Sequence, residues 1–200
     1  MDNTIFLVEN KYIDFSSMII QDKVKNLFHG IDSDVEKTKM AYEYVRDEIP
    51  HTFDIQSDTI TAKASDVLIY NTGICHAKAN LLAALLRAQN IPTGFCFQRL
   101  TLSDNDSLGY CIHCYNAIFI DNHWIKVDAR GNTNGKNAQF SLAEPQLAFE
   151  NRSNYDEYYF EGIYANPHLD TMLMLDKANS LQDVINNIPD YVMEKPDLII

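Results

Sequence analysis

The stretch 70-YNTGICHAKANLLAALLRAQNIPTGF-95 reads as a glycine turn, a helix and the start of a strand, and its one difficult residue is the cysteine where turn and helix meet. From Cys75 onward, Ala79, Leu82, Leu85 and Leu86 share a helical face, while Ala77, Leu81, Ala84 and Ala88 widen it, a pattern of burial on most sides. Asn90 and Pro92 close the helix, and "TGFCFQRL" follows with the β-branched and aromatic character of a strand. In the first turn of such a helix, unpaired N–H groups and the positive end of the dipole favour an anion, which lowers a thiol pKa and offers donors to an oxyanion. A free cysteine is also a common buried small hydrophobe, so the helix alone does not decide between core residue and nucleophile.

The next run, 110-YCIHCYNAIFIDNHWIKVDARG-131, adds two strands around Asp121-Asn122. Alternation puts Cys111, His113, Tyr115, Ala117 and Phe119 on one face and Ile112, Cys114, Asn116, Ile118 and Ile120 on the other. A two-residue turn at Asp121-Asn122 sets Tyr115 opposite Asp128 and makes His113 its diagonal neighbour on the same face. Imidazole and carboxylate then meet. An odd turn without a bulge would instead send Asp128 to the far side. A histidine oriented by an aspartate, pointing from a sheet toward a helix that begins with cysteine, supplies the three roles of thiol acyl transfer. Cys75 would be the nucleophile, His113 the base and then the acid, and Asp128 the group that fixes the imidazole tautomer.

Around this centre, Ile19, Ile20, Val24, Leu27, Phe28 and Ile31 predict a helix over about residues 17–29. Ser33 with Glu36 forms a capping box for a second helix that runs to Pro50. "ASDVLIYN" predicts a short helix or turn before Gly73, and Ser180 with Asp183 opens a last helix ahead of Pro189. No internal repeat or low-complexity tract divides the chain, so residues 1–200 are expected to form one domain, large enough to bury on the order of 70% of its unfolded surface.

The net charge of −12 repels phosphate polymers and anionic lipid, which argues against a nucleic-acid or membrane partner. No stretch approaches the ~20 apolar residues that span a bilayer, and the acidic start lacks the features of a secretion signal. A cytoplasmic location with Cys75, Cys96, Cys111 and Cys114 reduced is therefore expected. Cys111 and Cys114 have a spacing used by zinc sites, but on an extended strand they point to opposite faces. His76 lies about 100° round the helix from Cys75 and is expected at the rim or in solvent. His29, His51, His123 and His168 have no identifiable partners. Arg130 is expected in a surface ion pair, with a substrate carboxylate as the alternative. The aromatics of "YDEYYFEGIY" are expected at the edge of the core or walling a cleft, and Phe119 and Trp124 in the core.

In these residues the chain resembles the transglutaminase-like superfamily, in which a cysteine after a glycine at a helix start is followed by a histidine and an aspartate on successive strands. "TGICHAKANLLAALLRAQNIPTGF", "IHCYNAIF" and "HWIKVDARG" carry the resemblance, over about residues 42–131. It implies an α+β, papain-like fold in which a central helix carrying Cys75 packs on an antiparallel sheet, the N-terminal helices and C-terminal extension packing on that core. It also implies a Cys75, His113, Asp128 triad that needs neither metal nor organic cofactor. Two departures bear on substrate preference: His113-Cys114-Tyr115 stands where the family often has His-Ala-Trp, and "NIPTG" where it has a "GIPAR"-like step. The expected substrate is a peptide, a protein or a small amide, with hydrolysis favoured because nothing marks an amine site or a calcium loop. The alternatives are transfer to an amine, as in protein-glutamine transglutaminases, and a scaffold that keeps the fold without turnover. The sequence leaves the oligomeric state open.

Overall fold

A computed structural model describes residues 3–199 of the chain. Among the described residues, four α-helices precede the sheet: α1 (Met18–Leu27), α2 (Asp34–Glu48), α3 (Ala64–Tyr70) and α4 (Cys75–Arg87). Then come β1 (Thr93–Thr101), β2 (Tyr110–Ile120) and β3 (His123–Val127), a two-residue strand β4 (Tyr158–Tyr159), and helices α5 (Leu169–Leu175) and α6 (Leu181–Asn187). The architecture is α+β, with an antiparallel sheet in the order β3-β2-β1-β4.

Local chemistry accounts for most boundaries. The Ser33 hydroxyl accepts from the Glu36 N–H at 3.3 Å and starts α2, and Ser180 does the same for Asp183 at 3.1 Å and starts α6. Asp121 and Asn122, at φ +50° and +65°, form the left-handed pair that a two-residue hairpin requires, and they fix the register Asn116↔Val127 through Ile120↔His123. That is the expected register. Helix α5, in the weakly patterned C-terminal third, was not anticipated, because a seven-residue helix gives too few periods to register.

The core lies between α4 and one face of the sheet. The leucines of α4 pack with Ile112, Cys114, Ile118 and Ile120 of β2, with α1, α2 and α3 closing the other sides. Every residue of α4 from His76 to Arg87 is buried, so the helix has no solvent face. His76 is therefore not at a rim: it is 0% exposed, stacks 6.1 Å from Phe97, and its Nε2 bonds the Ile112 carbonyl at 3.0 Å. A rotation of 100° leads out of the core only on a helix that has an outside. The opposite sheet face carries Tyr115 and Ala117, which pack with Phe6, Cys96 and Ile163. Phe119 and Trp124 are half-buried rather than core, stacked on each other at 5.5 Å, with Phe6 against the indole.

Candidate active site

The site begins where β3 stops. β2 runs on past the last paired position, Asn116↔Val127, and exposes an edge at Ile112 and Cys114 whose backbone groups need partners. The Pro189 carbonyl accepts from the Ile112 N–H at 2.9 Å, His76 bonds the Ile112 carbonyl, and the Cys114 N–H lies near enough to the Cys75 sulfur to favour its thiolate. The start of α4 thus caps an open sheet edge. His113 was expected to point from the sheet toward the helix that begins with Cys75, and the route is not across the face on which α4 packs. His113 lies on the opposite face from the core residues, and Cys75 meets it round the edge, on the same cleft and near enough for thiol and imidazole to shift each other's pKa.

His113 Nε2 bonds Asp128 Oδ2 at 2.8 Å, which leaves Nδ1 as the nitrogen for the thiol. Asp128 is wholly buried and follows β3 directly. Its carboxylate also accepts from the N–H groups of Arg130 at 3.1 Å and Ala148 at 3.0 Å. Burial disfavours its charge, but His113 and these donors outweigh burial and hold its pKa below the ordinary value. Burial likewise opposes charge on His113 and on Cys75. Asp128 and the thiolate nevertheless raise the imidazole, while the imidazolium and the Cys114 N–H lower the thiol. The pair is biased toward thiolate and imidazolium. The other three cysteines go the opposite way: burial pushes Cys96 and Cys111 up to about 12 and Cys114 well above its usual value.

Cys75 is the one residue of α4 that is not fully buried, which sets it apart from a core cysteine. Ile74 at the N-cap has no side chain able to accept from the first turn. His51 does that work: its Nε2 accepts from the Cys75 N–H at 3.0 Å. The ring arrives through a parallel bridge between His51 and Gly73, where Thr52 N–H meets the Gly73 carbonyl at 3.2 Å. On its other side Gly73 packs closely, since a Cβ there would lie 3.2 Å from Ala77 and 3.3 Å from the Thr61 hydroxyl. The other ring nitrogen faces the Phe53 N–H at 3.3 Å, and a neutral imidazole can accept at only one of the two; the shorter contact assigns that role to Nε2. Burial first, then Arg130 and Lys78, keep His51 neutral. The Cys75 N–H, a candidate oxyanion donor from sequence, is thus occupied in this state.

Two further supports were not legible in the sequence. Lys78, one turn along α4, is 1% exposed and donates to the carbonyls of Ile49 at 2.5 Å, Arg130 at 2.9 Å and Arg46 at 3.4 Å. It ties the segment carrying His51 to the segment following Asp128. Phe149 sets its ring edge-on to His113 at 5.0 Å, and its carbonyl is reached by Gln98, which lies across from His113 in the β1–β2 pairing. Arg130 is not in a surface pair: it clamps Asp54 through two bonds of 2.6 and 2.8 Å and is 8% exposed. Among the "YDEYYFEGIY" residues, Tyr158 and Tyr159 edge the sheet, and Glu157 lines the cleft. Cys111 and Cys114 point to opposite faces of a continuous strand, Cys111 toward the cleft and Cys114 into the core.

Cys75, His51 and His113 open into a cleft of about 440 Å³, a size suited to a side chain or short peptide. Phe53, Leu100, Phe149 and Ile188 give it apolar wall, and Arg130, Lys136, Arg152, Asp104, Glu150 and Glu157 give it charge. Among the described residues no helix is long and apolar enough to cross a membrane.

Three solved structures are similar to the chain: a candidate cysteine protease from Cytophaga hutchinsonii, a candidate protease from Parabacteroides distasonis, and a TGase. Identities are 23%, 17% and 16%, and TM-scores 0.49, 0.41 and 0.38. The matches cover 65%, 67% and 64% of this chain but 43%, 28% and 36% of those chains. No curated protein matches the chain in sequence. The sequence profile of the transglutaminase-like superfamily matches residues 21–129, from α1 to the residue after Asp128 and so further toward the N-terminus than the motifs suggested. That match takes in more than half of the sequence, together with the helix, hairpin and edge that build the cleft, and by it the chain belongs to the transglutaminase-like superfamily.

Proposed function

We propose that the protein is a thiol-dependent enzyme that cleaves an amide or related acyl bond, with Cys75 as nucleophile, His113 as base and acid, and Asp128 as the group that orients and charges the imidazole. The thiolate of Cys75 attacks the acyl carbon and the carbonyl π electrons move onto oxygen. The imidazolium of His113 gives its proton to the leaving amine as the C–N bond breaks, leaving a thioester. Water, deprotonated by His113, attacks the thioester carbon; the C–S bond breaks and the acid departs, with the thiolate and imidazolium restored. Asp128 stays ionised throughout and keeps the imidazole turned toward the sulfur.

The observation that carries this reading is that the only incompletely buried residue of α4 shares a cleft with a histidine whose Nε2 holds a buried carboxylate at 2.8 Å. Water is the acceptor proposed, with His113, left neutral by the proton it gives to the departing amine, as the base that deprotonates it.

Iodoacetamide labelling between about pH 5 and 8, followed site by site with mass spectrometry, tests the proposal. Cys75 is expected to alkylate at the acidic end, where Cys96 and Cys111 do not, and His113→Ala should remove that advantage by roughly 10²–10⁴-fold. If Cys75 tracks the other thiols with pH and ignores His113→Ala, the protein is a binding domain rather than an enzyme.

A further inference from the structure

Three lysine and arginine side chains line the cleft, and two are already matched. Arg130 is held by Asp54 in a two-bond clamp, and Arg152 by Glu157 at 2.7 Å. The third, Lys136, has no carboxylate within ion-pairing distance among the described residues, and its ammonium reaches only the Thr133 carbonyl at 3.5 Å. Asp54 is near enough to act on it, but both Asp54 oxygens are committed to Arg130 and Thr133. Glu150, on the same cleft, is exposed and makes no ion pair with it.

The position of Lys136 is built rather than incidental. It sits in a turn whose backbone passes through left-handed conformations at Asn134 (φ +53°) and Gly135 (φ +81°). Asn132 closes the turn by accepting from the Ala138 N–H at 2.7 Å and donating to the Ala138 carbonyl at 3.0 Å, and Arg46 donates to the same carbonyl at 3.1 Å. The ammonium lies 5.3 Å from the centre of the Phe149 ring, the ring whose centre is 5.0 Å from that of His113. The sum of those two distances bounds the separation of ammonium and imidazole. At about 3.3 Å per residue, an extended chain covers that span in roughly three residues.

We propose that Lys136 is a substrate-anchoring residue that takes a carboxylate lying within about three residues of the reacting carbonyl, which makes the preferred substrate class acidic peptides or acyl amides. The inference rests on the thiol-enzyme reading above. Half-buried beside the Arg130 guanidinium, Lys136 carries a charge that burial and its cationic neighbour both disfavour, and a bound carboxylate relieves both. The anion comes either from an acidic side chain or from the free end of a peptide; the recognising chemistry is the same. A local cationic anchor in a chain of net charge −12 also discriminates, since the surrounding field repels anions that cannot reach it.

Alkylating probes of graded length separate the possibilities without needing the natural substrate. Iodoacetyl-glycine, -diglycine and -triglycine, each as free acid and as carboxamide, report a terminal carboxylate, and iodoacetyl-glutamyl amide against iodoacetyl-glutaminyl amide reports an acidic side chain. Within each protein, the ratio of acid to amide rates at Cys75 is the measurement, so general changes in thiol reactivity cancel. The wild type is expected to prefer the acid by about tenfold or more at one probe length or with the glutamyl probe. Lys136→Arg should keep the preference, Lys136→Gln should bring it near unity, and Lys136→Glu should invert it. A ratio unaffected by Lys136→Gln at every length and with the glutamyl probe overturns the inference while leaving the thiol chemistry standing. Failure of every carboxamide probe to label Cys75 faster than Cys96 removes the enzymatic reading and this inference with it.

Discussion

The two ends of α4 solve the same physical problem for different ends. Each buries a cation that meets backbone carbonyls rather than a carboxylate. At the C-terminal end Arg87, 3% exposed, donates to Thr93 at 3.0 and 2.6 Å, to Val8 at 2.5 Å and to Ala165 at 2.6 Å, pinning three distant segments. At the N-terminal end Lys78 gathers Arg46, Ile49 and Arg130, the segments that flank His51 and Asp128. Burial lowers both pKa values, Arg87 to about 10 and Lys78 to about 7. Arginine therefore stays charged at neutral pH, whereas the lysine ammonium is held near its titration point. The C-terminal end is a clamp, while the N-terminal end keeps its charges adjustable beside a cleft.

Substitutions at the two ends should accordingly fail in different ways. The largest effect is expected at Asp128→Asn, which keeps one of the two oxygens that accept from the Ala148 and Arg130 N–H groups but replaces the other with an amide NH2 and removes the charge facing His113. Cys75 alkylation near pH 6 should fall by roughly 10²–10⁴-fold while the folded far-UV spectrum is retained. If reactivity survives, the carboxylate is only a hairpin support. Arg87→Met should do the reverse: the buried carbonyl groups of Thr93 and Ala165 and the part-buried one of Val8 lose their donor, so urea denaturation should show a loss of about 3 kcal/mol, with the preference of iodoacetamide for Cys75 over Cys96 intact.

The smallest effect is a pH slope at Lys78. Its folded pKa, about 7, lies below the ordinary 10.5. Between those values the unfolded chain binds more protons, so the contribution of this group to stability rises with pH. His113 works the other way, since its raised pKa stabilises below the unfolded value and that stabilisation is lost as pH climbs through the folded one. Only the difference between proteins isolates the lysine. From pH 7 to about 9, urea midpoints of wild type should rise relative to those of Lys78→Met. A constant gap would mean that the ammonium keeps its proton throughout and that the two ends of the helix are alike.

The parts of the site that were legible in advance depend on short-range rules. Gly73, Ile74 and the Ala/Leu run announced a helix starting at Cys75, and Asp121-Asn122 set a two-residue turn whose register carries His113 and Asp128 to the same side. Side-chain period and turn length are local quantities, so arithmetic on the chain reaches them. His51 was out of reach because its meeting with Cys75 depends on a bridge between segments separated by α3. His76 was misplaced because its burial depends on what packs round α4 rather than on its angle from Cys75.

What the amino-acid sequence determined by itself is the set of elements and the registry of the hairpin, because these follow from backbone sterics and the alternation of side chains. Tertiary structure alone decided that β3 ends early, that the helix start fills the vacant edge of β2, that His51 caps the Cys75 N–H, and that Phe149 sets its ring against the imidazole with Lys136 over that ring. Those contacts join residues far apart in the chain, and the burial and charge they create, which shift the thiol and imidazole in opposite directions, exist only once the segments have met.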